Sequence, residues 1–262
     1  MPSSNHTLLD PSPLKFVVIE KKLNVSISGI SGLLIAILII SLWAISFTYL
    51  LTVNIAELPI WSIPLLMVWQ GFLFTGLFIT AHDAMHGSVL PQNPKINHLV
   101  GSITVFAYAL FSYKDLLQKH WSHHRYPASE FDPDFHDGSH PHPIAWYVHF
   151  MKGYWNWRQW IGFTVLYPLV KLAFHTSHLN LILFWILPLV LSSIQLFYFG
   201  TFLTHREPAA GYTTPHRAKT NPLPTVWSFI TCYHFGYHEE HHECPYVPWW
   251  KLPAIYQSRF TS

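Results

Sequence analysis

Two uncharged apolar runs, Asn24 to Ala56 and Leu58 to Ala81, are separated only by Glu57, with Pro59 marking the turn. Each exceeds the roughly 20 residues a transmembrane helix needs, so the pattern predicts a pair of spans joined by a short turn. Leu99 to Phe111 is apolar but too short to cross, and reads as a re-entrant or buried helix. Trp160 to Phe174 reads as a third span despite Pro168 and Lys171, with the lysine reaching back to the interface. Leu179 to Leu203 is a fourth, uncharged, with Pro188 and Gln195 inside it. Residues 1–23 form a polar arm carrying prolines and Lys15, Lys21 and Lys22, and 125–158, rich in Pro, His, Asp and Trp, reads as an ordered surface region. No linker or internal repeat divides the chain. The expectation is one all-α integral membrane domain over residues 1–262, with four transmembrane helices and a cap.

Composition agrees. Half of the 262 residues are hydrophobic and only 11% are charged, against about 25% in a typical soluble domain. A net charge of +2 is too small to imply nucleic acid as a partner. Cys232 and Cys244 make no CxxC pair and no disulfide framework. The first apolar run is longer than a signal-peptide core, which predicts that it is retained. Four spans would put the arm, residues 82–158 and everything after His205 in one compartment. Every Lys and Arg except Lys171 then lies on that side, and the positive-inside rule makes it cytoplasmic.

The chemistry is carried by histidines. His82 and His86 are four apart, His120, His123 and His124 form a second box, and His238, His241 and His242 repeat its spacing. On a helix, offsets of three and four fall on one face. Three boxes beside apolar segments point to a metal centre at the membrane surface, and imidazole suits iron, zinc or copper. Eight imidazoles are too many for one ion with an open position and suit two ions with about four each. His205, where the fourth span emerges, is a ninth candidate. Asp83, Asp132, Asp134, Glu239 and Glu240 are available to orient the rings through their outer nitrogens. His234 reads as a core or supporting residue, and Trp155, Trp157, Trp160, Trp249 and Trp250 as an interfacial belt.

These boxes resemble those of the membrane fatty acid desaturase and hydroxylase superfamily. HDAMHG at His82 to Gly87, HWSHHR at His120 to Arg125, DPDFH at Asp132 to His136, YFGTFLTHR at Tyr198 to Arg206 and the stretch from Thr231 to Pro253 are similar to the β-carotene ketolase branch. The likeness covers roughly residues 60 to 255. One departure stands at Thr204, where that branch usually has Pro before its histidine. The resemblance implies that His82, His86, His120, His123, His124, His205, His238, His241 and His242 hold two ferrous ions, with O2 as co-substrate and ferredoxin or a similar carrier as electron donor. It implies a substrate, β-carotene or a related carotenoid, reached through the lipid bilayer. Carbon 4 of its β-ionone ring would be hydroxylated twice to give the ketone, by way of echinenone to canthaxanthin. Spacing alone leaves a carotenoid 3-hydroxylase and a fatty acid desaturase open. HEEHH also satisfies the H-E-x-x-H zinc-protease pattern, but that reading gives the first two boxes no role.

Overall fold

The computed structural model describes residues 29–260, so the polar arm at 1–23 lies outside it. Helix α1, Gly29–Thr52, and α2, Ser62–Met85, occupy the first two predicted spans. Pro64 sits in the first turn of α2, where its missing N–H removes no helical bond. From Gln70 onward α2 is buried almost throughout, and it packs against α1, α3 and α7 as the central element of the bundle. The outward face of α1, including Ile30, Leu34, Ile37 and Ile45, is apolar and exposed.

The short apolar segment becomes α3, Pro94–Ala109, which meets α4, Tyr113–Arg125, at a bend of 98°. Leu110 ends α3 with a left-handed backbone (φ 59°), and Ser112 caps α4 by accepting the Asp115 N–H. The surface region contains α5, Pro143–Tyr154, anchored by Trp146, whose indole donates to the Asp134 carbonyl. Helix α6, Trp157–Ala173, covers the third predicted span. Its 17 residues extend roughly 26 Å at 1.5 Å per residue. The fourth becomes α7, His178–His205, a continuous rod broken by two π-helical stretches, Ile182–Ile186 and Phe197–Phe202. Then come α8, Thr225–Cys232, α9, His238–Glu243, and α10, Leu252–Ser258. Among the described residues there is no strand. Three helices, α1, α2 and α7, are long and apolar enough to cross a membrane, or four if the bent α3–α4 pair is one broken span.

Opposite ends of the bundle are marked by hydrogen bonds. At one end the Thr176 hydroxyl donates to the Leu51 carbonyl, and the Asn180 amide to Leu50 and Val53. At the other end α2 and α7 finish beside α4 and α9. The turn after α2 is held by Asn97 of α3, which is buried. Its amide donates to the Ala84 carbonyl at 2.7 Å, and its oxygen accepts the N–H groups of Val89 and Leu90. One side chain thus fixes the backbone on both sides of His86.

Trp249 departs from the expected interfacial belt. It is buried, stacked on Phe229 and set edge-on to Tyr233, because the residues after α9 fold back over α8. Trp157 and Trp160 are exposed, as a belt requires.

Replacing Asn97 by Ala leaves buried backbone groups without partners, at about 1–3 kcal/mol each. The expected outcome is a clearly lower thermal midpoint for the purified protein in detergent. An unchanged midpoint would count against Asn97 as the fastener of this turn.

Candidate metal centre

The nine histidines named from the sequence come together at the end of the bundle where α2 and α7 finish. His82 lies in the last turn of α2 and His86 caps it. His120, His123 and His124 come from α4, His205 ends α7, and His238, His241 and His242 come from α9. They divide into two groups. Ring nitrogens of His82, His86, His120, His124 and His241 lie within 4.8 Å of one another, and so do those of His123, His205, His238 and His242. The groups abut: His124 stacks on His242 with ring centroids 4.3 Å apart.

The division follows from helical geometry. The i and i+4 positions of a box stack one above the other, while i+3 is rotated to the opposite flank. In α4, His120 and His124 therefore serve the first group and His123 the second. In α9 the assignment is reversed, with His238 and His242 in the second group and His241 in the first. Two sets of three rings, split in opposite senses, complete both groups.

In two of the rings the outer nitrogen fixes the tautomer. His205 Nδ1 lies 3.0 Å from the Arg217 carbonyl, which can only accept, so Nδ1 carries the proton and Nε2 presents its lone pair inward. His123 Nδ1 donates to Asp132 at 2.9 Å, with Asp134 at 3.7 Å. Asp132 is held in turn by the N–H groups of Ala128 and Asp134. Inside, the Nε2 atoms approach in pairs, His86 with His120 at 2.6 Å, His124 with His241 at 2.9 Å and His123 with His242 at 3.1 Å. Buried His82 Nε2 and His205 Nε2 have no hydrogen-bond partner. So many convergent lone pairs without a protein donor fit cations, and an all-imidazole set suits iron, zinc or copper. Burial, followed by crowding from neighbouring imidazoles, holds the pKa values of His238, His241 and His242 well below the ordinary imidazole range. These rings stay neutral and keep their lone pairs available.

The expected carboxylates behave unequally. Asp132 braces His123 as anticipated. Asp83 accepts the Trp249 N–H and stands 3.7 Å from His82 Nδ1. Glu239 and Glu240 face away. Arg259 takes both, at 3.8 and 3.0 Å, and Thr220 also bonds Glu240, so they tie α9 to α10 rather than orient a ring. This also removes Glu239 from the position a zinc-protease base needs. His234 precedes α9 in a left-handed turn (φ 62°) against Phe229, Tyr237 and Trp249, a core position. Thr204 keeps α7 helical up to His205, its hydroxyl donating to the Gly200 carbonyl at 2.7 Å.

A cavity of about 400 Å³ opens onto both groups, with His82, His120, His123 and His238 in its wall. The rest is largely apolar: Phe78 and Met85 of α2, Phe111, Phe163 of α6, and Ile186, Leu189 and Val190 of α7. Helix α5 adds Tyr147, Phe150, Met151 and Tyr154. The composition of 125–158 reads as surface, although the 0, 3, 4, 7 spacing of these four residues marks one apolar face. Trp160 and Val190 line the cavity and are also exposed, so its mouth opens sideways between α6 and α7. Phe235 lines the cavity beside the metal centre, edge-on to His82 at 4.7 Å and to His238 at 5.2 Å. It fits because residue 200 is glycine; a Cβ there would strike its ring.

Comparison with known proteins agrees with this arrangement. The fatty acid desaturase family model matches residues 58–155 and 139–259. A beta-carotene ketolase of Paracoccus sp. (strain PC1) is 40% identical over 223 residues, covering 85% of this chain and 90% of the relative. A beta-carotene ketolase of Paracoccus sp. (strain N81106 / MBIC 01143) is 42% identical over 184 residues, 70% of this chain and 74% of the relative. A zeaxanthin 4-ketolase of Chlamydomonas reinhardtii is 37% identical over 243 residues, 88% of this chain and 54% of the relative. With the family model matched along most of its length and ketolases this similar, the chain belongs to the β-carotene ketolases of the fatty acid desaturase family.

Proposed function

We propose that this protein is a carotenoid 4-ketolase that oxidises carbon 4 of a β-ionone ring in two successive steps. The observation that carries the reading is the cavity: an apolar chamber ends on two groups of imidazoles, in a chain whose relatives are named ketolases. The nine histidines are assigned as ligands of two ferrous ions, five around one and four around the other. Bound iron supplies the activation of dioxygen. The chain's own part is to hold, orient and shield. Asp132 and the Arg217 carbonyl keep His123 and His205 in the tautomer that points a lone pair inward. The apolar wall excludes water, and Phe235 limits how far a ring advances.

Each oxidation breaks one C–H bond at carbon 4 and inserts one oxygen atom of O2. The other oxygen leaves as water, using two electrons from a donor protein and two protons. The second round gives a geminal diol, which loses water to leave the ketone. Nothing in the sequence offers a flavin, haem or iron–sulfur site, so the electrons come from a separate carrier such as ferredoxin.

A chamber of this size takes one ring and a short length of polyene. The remainder must lie outside, and a sideways mouth between α6 and α7 delivers it to lipid. The exposed apolar faces of α1 and α6 favour the same bilayer setting. Four crossings account for the topology. Tyr154 bonds Asp134 beside the metal centre, whereas Thr176 is tied to the far end of α1. The chain must traverse the bundle between them, and α6 is the helix that does so. Helices α3 and α4 begin and end on the metal side, so their bend makes a re-entrant excursion rather than a crossing. The positive-inside rule then puts the centre in the cytoplasm.

Feeding β-carotene to cells expressing the gene should yield echinenone and canthaxanthin, identified by mass and by the red shift of a conjugated ketone. A 3-hydroxylated product, or none, would overturn the assignment. His241→Ala should abolish the ketone and lower bound iron to about half or less; full iron with normal turnover would refute the ligand set. Asp132→Asn should weaken iron binding about 10- to 100-fold in a chelator competition, and an unaltered affinity would mean that His123 needs no brace.

A further inference from the structure

The first oxidation creates a ring that carries a hydroxyl, and a hydroxyl without a partner is disfavoured in an apolar chamber. Among the buried threonines, the cavity wall offers one partner. Thr75, Thr80, Thr104, Thr176, Thr201 and Thr204 are the buried threonines among the described residues. Thr75, Thr80, Thr104 and Thr204 donate to the carbonyl four residues back, at 2.7–3.1 Å, and Thr176 donates to Leu51. Thr201 alone makes no side-chain hydrogen bond, and it lines the cavity. The cause is local. Thr201 lies in the π-helical stretch Phe197–Phe202, where backbone bonds reach to the fifth residue instead of the fourth. The other hydroxyls in the wall each have a protein partner, although that of Tyr108 only accepts. Tyr147 donates to Ser193, which donates to the Val190 carbonyl; Tyr154 bonds Asp134; and Tyr108 accepts from Ser192. Thr201 also stands four residues before His205, one turn from the metal centre.

We propose that Thr201 is a specificity-determining residue that holds the singly hydroxylated ring. Its hydroxyl bonds the new 4-hydroxyl, so that the alcohol is retained for the second oxidation instead of being released. The inference rests on the ketolase reading and adds to it the reason the product is a ketone and not an alcohol. The free hydroxyl both donates and accepts, so it can pair with the alcohol, while the unsubstituted ring makes no polar demand on it.

The test compares Thr201→Val, nearly the same shape without the hydroxyl, with Thr201→Ser and Thr201→Ala. Purified enzyme in lipid vesicles, with an electron donor and iron content measured, is given β-carotene and separately its 4-hydroxy derivative. In Thr201→Val the ratio of 4-hydroxy to 4-keto product should rise about three- to tenfold, the value of one hydrogen bond. The KM for the 4-hydroxy ring should rise by a similar factor relative to that for β-carotene. Thr201→Ala should move the ratio in the same direction, and Thr201→Ser should restore it. A wild-type ratio in either Val or Ala would overturn the proposal. So would a KM shift confined to rings hydroxylated at carbon 3. Absence of any ketone from the wild-type enzyme would instead defeat the underlying ketolase reading.

Discussion

Nine imidazoles packed together at one end of the bundle are the constraint on which this structure depends. A buried polar nitrogen without a partner is costly, and here the rings aim their nitrogens at one another. The arrangement is favoured where rings are fixed from outside and a cation is taken inside. Outside, the Asp132 carboxylate holds His123 and the Arg217 carbonyl holds His205, while Asn97 pins the turn that carries His86. These three supports come from different parts of the chain, so the site can form only when the whole bundle has closed.

The supports also explain why the bundle has its shape. Helices α2 and α7 must end at one level, because His82, His86 and His205 are at their ends. Helix α4 must turn sharply from α3 to lie beside them, and the 98° bend at Leu110 does this. The Glu240–Arg259 ion pair belongs to the same scheme from the other side. It keeps α9 against α10, so that three histidines face inward on a helix of only six residues. Such a helix would not be stable by itself.

Much of this was legible in the sequence because it is local and periodic. Uncharged runs located α1, α2 and α7, and offsets of three and four located the boxes. The partition of those boxes was less visible. Spacing puts His238, His241 and His242 on one face, but the division between two groups depends on how α4 and α9 face each other, which is a tertiary fact. The acidic partners were half legible. Asp132 was a candidate among five, and only the fold distinguishes it from Glu239 and Glu240, which Arg259 claims. Trp249 failed as a belt residue because composition cannot tell an interfacial tryptophan from one covered by a returning loop. The cavity wall on α5 had a signal, the spacing of Tyr147, Phe150, Met151 and Tyr154, hidden inside a segment rich in Pro and Asp.

The proposed selectivity turns on the second π-helical stretch of α7. A π turn inserts an extra residue and so rotates the C-terminal part of a helix relative to its N-terminal part. In α7 the second stretch lies at Phe197–Phe202, between the apolar chamber wall at Ile186–Val190 and His205. The same irregularity leaves Thr201 unbonded. The shifted backbone register thus yields one small residue for close packing and one free hydroxyl at the inner end of the chamber. On the proposed reading, the part of the rod that lines the chamber fits the carotenoid by shape, and its last turns meet the hydroxyl that the first oxidation leaves on the ring.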